Sequence, residues 1–166
     1  MDFVESDMHF GVFDEADCFR IEKTDLYVRL SGRGFSSVDF ILNQKSSNEL
    51  FFVEAKTTLP ANKNIPDFEN EIHEISRKFM DSLQLIGGIW FGEHNSKVEA
   101  PTNKDSFFTY GKQIVFVLVV KNRIGKLPSI AEKIKQTLRR EHKLLGFNVL
   151  VMNEDLAVRT NLLVKI

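Results

Sequence analysis

The chain has 166 residues, of which 43% are hydrophobic and 27% are charged, and its net charge is −1. These values are ordinary for a globular domain that is large enough to bury a core without added cross-links, so we expect a single domain over residues 1–166. They also argue against a protein that only coats nucleic acid, which is usually more basic. The single cysteine, Cys18, excludes an internal disulfide, and no apolar run nears the roughly 20 residues of a membrane span, so a cytoplasmic protein without membrane contact is expected.

The N-terminal third of the chain predicts short strands and one hairpin. The first fifteen or so residues show no clear period, and strands are predicted over 18–22 and 27–30. A Ser-Gly-Arg-Gly turn at 31–34 then leads to two apolar runs, 38–43 and 49–58, which predict a hairpin across the polar residues between them.

The middle of the chain predicts a loop, a helix and a second loop. Two prolines bound a loop over 59–66, and Asp67 is a good N-cap for a helix with apolar residues at helical spacing. Gly87 and Gly88 are predicted to end that helix. The polar stretch that dominates residues 89–111 predicts an excursion or a flexible loop.

The C-terminal part predicts a strand, a helix and another strand. Residues 113–120 form a continuous apolar run, typical of a strand that is buried on both faces. A helix is predicted from Pro128 to a cap at Gly146, followed by a strand over 147–152. Antiparallel strands followed by a helical crossover predict an α/β fold, a mixed sheet flanked by helices.

Two carboxylates and a lysine mark the predicted hairpin. Asp39 stands early in its first strand, and Glu54 stands two residues before Lys56 in the second. Strand side chains alternate between faces, so Glu54 and Lys56 share one face, and antiparallel pairing lets Asp39 reach it. Carboxylates beside an ammonium group suit a hard divalent cation, which indicates metal-assisted phosphodiester hydrolysis.

These residues and the order of elements resemble the PD-(D/E)xK nuclease superfamily, whose fold is the restriction-endonuclease-like core. The motif is carried by Asp39 and by the triplet Glu54-Ala55-Lys56, fifteen residues further on. The resemblance covers roughly residues 15–153. The proline that names the motif is absent, and Val38 precedes the aspartate instead.

The resemblance implies distinct roles for these residues. Asp39 and Glu54, together with the backbone carbonyl of Ala55, would ligate Mg²⁺ or Mn²⁺. Lys56 would position or help deprotonate the attacking water, or stabilise the phosphorane. A salt-bridged trio on a sheet surface is the structural alternative for the same residues.

Further candidates surround this set. Many relatives carry another acid before the hairpin, and here Glu22 is favoured over Glu15 for that place. Two residues are candidates for phosphate contact, Lys78 on the helix and Arg33 in the turn. Residues 121–145 hold eight bases against two acids, whereas residues 1–25 hold eight acids against two bases. Two solvated faces explain that asymmetry as well as a phosphate-binding edge, for which Arg139 and Arg140 are candidates.

The leading hypothesis is a metal-dependent endonuclease in prokaryotic or viral nucleic-acid processing or defence, acting on DNA in preference to RNA. Cutting both strands favours a homodimer. The short chain has little room for a sequence-reading domain, so we expect structure-selective or weakly specific cleavage, or targeting by a protein partner. Two alternatives are a small Holliday-junction-resolvase-like enzyme and a catalytically silent binding or assembly module with the same fold.

Overall fold

The computed structural model describes residues 1–60, 65–91, 107, 111–122 and 125–164, except for the side chains of residues 90 and 91. The strands are β1 (Phe3–Glu5), β2 (Met8–Phe10), β3 (Cys18–Phe19), β4 (Phe40–Gln44), β5 (Glu49–Lys56), β6 (Gln113–Val120) and β7 (Asn148–Asn153). The helices are a 3-10 turn (Ile21–Lys23), α1 (Asp25–Ser31), α2 (Ile65–Phe91), α3 (Leu127–Thr137), α4 (Arg139–Leu145) and α5 (Glu154–Arg159).

Five strands form a mixed sheet in the order β3-β4-β5-β6-β7. The first three pair antiparallel, and β5, β6 and β7 pair parallel. Strands β1 and β2 form a separate antiparallel hairpin. The predicted mixed α/β architecture, with helices flanking the sheet, is therefore confirmed.

Each face of the sheet has its own hydrophobic layer. On one face α1, α2 and α3 pack over the strands, with the ring of Phe79 stacked on Phe116 at 4.7 Å between centroids. On the other face the β1–β2 hairpin and the C-terminal segment pack over Phe40, Val53 and Val117. Alternation along β5 sends Phe52 and Glu54 to the first face and Val53 and Ala55 to the second.

Three predicted elements match the structure closely. Strand β6 has the predicted bounds, and β5 lies within its predicted run. Strand β4 extends one residue beyond its predicted run, and β7 overlaps its own. Gly146 ends the helical region before β7 with a φ of 65°, a left-handed conformation that glycine adopts without steric cost. The predicted single helix before it is divided at Leu138, where the backbone leaves helical angles.

The strand predicted over 27–30 is wrong, because these residues lie in α1. A strand would place Leu26, Val28 and Leu30 on one face, yet Val28 is 64% exposed while Leu26 is buried. The side chain of Thr24 accepts a hydrogen bond from the N–H of Tyr27 at 3.1 Å and so caps the helix. The strand predicted over 18–22 is also shortened to β3, with the 3-10 turn following it.

Helix α2 is longer than predicted at both ends. It begins at Ile65, so Pro66 occupies its first turn, where the missing N–H has no cost. It also passes through Gly87 and Gly88 to Phe91. A Cβ at Gly88 would lie 3.4 Å from Cδ2 of Leu26, so the glycine allows α1 and α2 to approach closely. Most of the predicted excursion over 89–111 lies outside the described residues.

Candidate functional site

The pairing of β4 with β5 brings the two predicted carboxylates together. Phe40 is paired with Val53, so Asp39, one residue before β4, stands opposite Glu54. The N–H of Asp39 donates to the carbonyl of Val53 at 3.1 Å, which continues the ladder. Oδ2 of Asp39 accepts a 2.7 Å hydrogen bond from the N–H of Ala55, which fixes this carboxylate against the end of β5.

Glu54 is a buried carboxylate with two ammonium groups beside it. Its side chain is 1% exposed. Oε1 accepts a 2.7 Å hydrogen bond from Nζ of Lys78 on α2, and Nζ of Lys56 lies 3.7 Å from the same oxygen. Oε2 is buried and has no hydrogen-bond partner among the described residues. An unpaired buried carboxylate oxygen is costly, so an additional cation or donor at this atom would be stabilising.

Burial and mutual repulsion weaken both acids. Burial, followed by the charge of Asp39, raises the pKa of Glu54 to about 7, although Lys78 and Lys56 oppose this rise. Burial also raises the pKa of Asp39 to about 6 and outweighs the Ala55 hydrogen bond, which lowers it; the charges of Glu5 and Glu22 add to the rise, and the charge of Lys78 opposes it. Burial disfavours the charge on Lys78, yet the pKa of Lys78 is raised, because attraction to Glu54, Asp39 and Glu74 together outweighs burial. Strongly perturbed pKa values are typical of functional sites.

Glu71 on α2 is a member of this site that the sequence interpretation missed. Its Oε1 lies 2.7 Å from Nζ of Lys56. Glu71 and Lys78 are seven residues apart, so they lie two turns apart on one face of α2. Glu71 of α2 therefore pairs with Lys56 of β5, and Lys78 of α2 pairs with Glu54 of β5. An acid and a base seven residues apart on a helix can pair with the lysine and the glutamate of a Glu-x-Lys strand. This spacing is the signal that could have identified Glu71.

The turn between β1 and β2 forms another wall of the site. The hydroxyl of Ser6 donates to the carbonyl oxygen of Ala55 at 2.9 Å, and the hydroxyl of Thr57 donates to the carbonyl of Ser6 at 3.3 Å. The Ala55 carbonyl, which the sequence interpretation assigned to a metal, thus already accepts one hydrogen bond. A carbonyl oxygen has a second lone pair and can still serve as a ligand.

The predicted additional acid, Glu22, lies near the site in the 3-10 turn. Its carboxylate pairs with Nη2 of Arg20 at 2.5 Å, and the same nitrogen pairs with Glu5 of β1 at 3.2 Å. Both acids raise the pKa of Asp39, with Glu5 contributing more than Glu22. Glu5, in a segment left unassigned from the sequence, is therefore a second acid near Asp39. Glu15 is exposed in the loop before β3.

The remaining predicted phosphate contacts are distributed unevenly. Lys78 lies in the site, whereas Arg33 is exposed in the turn that follows α1. Arg139 and Arg140 are exposed on α4. The residue after α4, Gly146, accepts a hydrogen bond from the side chain of Gln113 at the start of β6. Glu54 is paired with Leu118, five residues further along β6, which corresponds to about 17 Å. The two arginines are thus associated with the opposite end of the sheet.

The donor set at Asp39 and Glu54 suits a hard cation. Carboxylate and carbonyl oxygens are the ligands that Mg²⁺ and Mn²⁺ prefer, and the orphaned Oε2 of Glu54 offers a free lone pair. Within the described ranges, no group of three or more His, Cys, Asp or Glu side chains is arranged to hold a metal ion. Any ion here would therefore depend on two carboxylates, the Ala55 carbonyl and water.

A separate cavity of about 460 Å³ lies on the other face of the sheet. Leu42, Phe51 and Met152 contribute apolar surface, while Asp17 and Asn43 contribute polar groups. Asp17 is already paired with Lys45 at 2.7 Å and with the amide of Asn43 at 3.0 Å. The groups with perturbed pKa values at β5 are absent from its lining, so the chemistry of the candidate site does not involve this cavity.

Comparison with known proteins gives no relative for this chain: no family model, no curated protein and no solved structure matches it. The resemblance to PD-(D/E)xK nucleases therefore remains a prediction from the motif and the element order. In the part of the chain that the structure describes, no helix combines the length and the apolar character needed to cross a bilayer.

Proposed function

We propose that this chain is a metal-dependent nuclease that hydrolyses phosphodiester bonds, with DNA as the favoured substrate. The observation that carries the proposal is the environment of Glu54. A carboxylate that is 1% exposed, with one unpartnered oxygen, stands opposite a second carboxylate and beside two lysines. Burying such a set of charges lowers the stability of the folded protein, and such destabilising arrangements are typical of catalytic sites.

Asp39 and Glu54 would hold Mg²⁺ or Mn²⁺ together with the carbonyl of Ala55. When bound, the ion would lower the pKa of a water and stabilise charge on the phosphoryl oxygens. Asp39 is suited to this role because the Ala55 N–H bond holds Oδ2 at a fixed place. Glu54 is suited because its Oε2 is unpartnered among the described residues.

Lys56 and Lys78 supply positive charge on the same face. Each lysine is 22% exposed, so both side chains are partly withdrawn from water while still able to meet a substrate. Lys56 would contact the phosphate or orient the attacking water, as the resemblance implies. Lys78 favours the charged form of Glu54 in the absence of an ion, because its pairing with Oε1 opposes part of the effect of burial.

The preference for DNA, a symmetric homodimer and targeting by a protein partner all rest on the resemblance. A junction-resolving enzyme would use the same residues on a branched substrate. Arg139 and Arg140 would then extend phosphate contacts toward the far end of the sheet, where counterion release contributes to affinity.

A second candidate function, a catalytically silent binding module, is favoured by two contacts. Lys78 already occupies Oε1 of Glu54, and Ser6 already occupies the carbonyl of Ala55. In that case the charged residues would fix α2 to the sheet and Ser6 would fix the β1–β2 turn to it, without binding an ion. Metal affinity separates the two functions, since a structural ion-pair network has no need of a divalent cation.

The test is cleavage of labelled single-stranded, double-stranded and branched DNA in Mg²⁺ or Mn²⁺, with titration of Mn²⁺ alone alongside. Glu54→Gln should abolish cutting and weaken Mn²⁺ binding, and Lys56→Ala should abolish cutting. Glu69→Gln is the matched control, because Glu69 pairs with Lys133 at 2.7 Å from the same helix but outside the site. Mn²⁺ binding that is undetectable, or unchanged in Glu54→Gln, would reject the nuclease in favour of the silent module.

A further inference from the structure

Two lysines compete for one buried carboxylate in the candidate site. Nζ of Lys78 lies 2.7 Å from Oε1 of Glu54, whereas Nζ of Lys56 lies 3.7 Å from the same atom. Lys56 is drawn instead to Glu71, whose Oε1 is 2.7 Å away. The lysine that is adjacent to Glu54 on the strand face is therefore held by the helix.

We propose that Glu71 is a positioning residue: it holds the Lys56 ammonium away from Glu54, so that this carboxylate stays open to a divalent cation. This inference rests on the proposed function, because it concerns how the same site admits its ion. It assigns to Glu71 a role that acts through Lys56 and needs no direct contact with the ion or the substrate.

The geometry explains why Lys56 needs such a partner. Glu54 and Lys56 project from the same face of β5, two residues apart, and Lys56 has a long flexible stem. Oε2 of Glu54 is buried without a partner among the described residues, which makes it an attractive acceptor for a nearby ammonium. Without Glu71, a shift of about 0.5 Å would bring Nζ of Lys56, now 3.7 Å from Oε1 of Glu54, within hydrogen-bond distance of that oxygen. A second lysine on Glu54 would occupy the electron pairs that a cation needs.

Charge leads to the same expectation. Asp39, Glu54 and Glu71 contribute three negative charges when ionised, and Lys56 and Lys78 contribute two positive charges, so the group carries −1. Removing the charge of Glu71 brings the sum to zero, which lowers the attraction for a cation as well as releasing Lys56. A test must therefore separate the effect through Lys56 from the effect of charge alone.

The experiment measures the affinity of the full chain for Mn²⁺ alone, without DNA, from the electron paramagnetic resonance signal of free Mn²⁺. Variants are Glu71→Gln, Glu71→Asp, Lys56→Met and the double variant Lys56→Met with Glu71→Gln. Met replaces the lysine with a side chain of similar length and no charge. Glu69→Gln again controls for the loss of an ion pair between α2 and another element, here with Lys133. Thermal unfolding of each variant reports whether it is folded.

We expect Glu71→Gln to weaken Mn²⁺ binding about tenfold, the lower end of the range for partners that orient metal-site residues. Glu71→Asp should recover most of that loss, and Glu69→Gln should bind as the wild type does. In the Lys56→Met background, Glu71→Gln should have little further effect, because the group that it restrains is gone.

Three outcomes would overturn the inference. Unchanged Mn²⁺ affinity in Glu71→Gln would mean that the pair only fixes α2 to the sheet. A tenfold loss that persists in the Lys56→Met background would mean that Glu71 acts through its charge or contacts the ion directly. If Glu71→Gln fails to fold, the double variant decides: Mn²⁺ affinity about tenfold weaker in Lys56→Met with Glu71→Gln than in Lys56→Met alone would reject the role.

Failure of the proposed function is distinguishable from failure of this inference. Glu54→Gln that binds Mn²⁺ as tightly as wild type rejects the metal site itself. Glu54→Gln that loses binding, combined with a neutral Glu71→Gln, leaves the metal site intact and rejects only the positioning role.

Discussion

The buried carboxylate of Glu54 should make the stability of the metal-free protein fall as pH rises. The pKa of this group is raised by burial and by Asp39 from 4.5 to about 7. Between these two values the folded state holds a proton that the unfolded state has released, so protons favour the folded state. The stability contributed by protonated Glu54 is fully present below pH 4.5 and is lost as pH rises toward 7.

The size of the effect follows from the shift. Each pH unit between the two pKa values changes the free energy of unfolding by about 1.4 kcal/mol, so the full window corresponds to about 3 kcal/mol. Glu54→Gln replaces the carboxyl with a neutral group of the same shape. The variant should therefore gain about 3 kcal/mol relative to wild type as pH rises from 4.5 to 7, whatever its stability at the lower pH.

The assay is urea denaturation followed by circular dichroism at several pH values, with EDTA present to exclude divalent ions. The difference between wild type and Glu54→Gln removes the titration of groups common to both proteins. Glu69→Gln should run nearly parallel to wild type over this window, because Glu69 lies in an exposed pair whose pKa is lowered by Lys133. Parallel curves for wild type and Glu54→Gln would refute the reasoning, since they would mean that Glu54 titrates alike in the folded and unfolded chains.

Four further substitutions test other contacts. Ser6→Ala should strengthen Mn²⁺ binding up to about fivefold by releasing the Ala55 carbonyl, and an unchanged titration would mean that the Ser6 hydrogen bond does not compete with the ion for this oxygen. Thr24→Ala should cost about 1 kcal/mol in urea denaturation, because it removes the cap of α1; no change would mean that the cap contributes nothing. Gly87→Ala should stabilise by about 1 kcal/mol, because its added Cβ would meet no described atom within 4 Å beyond its chain neighbours and the adjacent backbone of α2. Gly88→Ala should gain less, because Cδ2 of Leu26 would lie 3.4 Å from its Cβ. Equal gains would contradict this packing.

Periodicity predicted the elements whose environment is uniform along their length. After Gln113, every residue of β6 is apolar because the strand lies inside the sheet and is covered on both faces. The β4–β5 hairpin was recognisable for a related reason, since its apolar runs are separated by a short polar turn. The register of that hairpin then placed Asp39 opposite Glu54, as the spacing had suggested.

The errors fall where short segments allow two periods. Residues 26–30 contain apolar side chains at both two-residue and four-residue spacing, and only packing of Leu26 against the core selects the helix. Gly87 and Gly88 are weak helix formers, yet α2 continues through them because tertiary contacts can outweigh a propensity of about 1 kcal/mol.

What the sequence by itself determined is the sheet-borne set of Asp39, Glu54 and Lys56, because strand alternation and hairpin pairing are local rules. Only the tertiary structure decided which charged residues pair with each other. The placement of α2 across the sheet gives Lys78 to Glu54 and Glu71 to Lys56, and the β1–β2 turn brings Ser6 to Ala55. These contacts join residues that are 15 to 49 positions apart in the chain. Their distances are set by side-chain packing between elements, which no local pattern encodes.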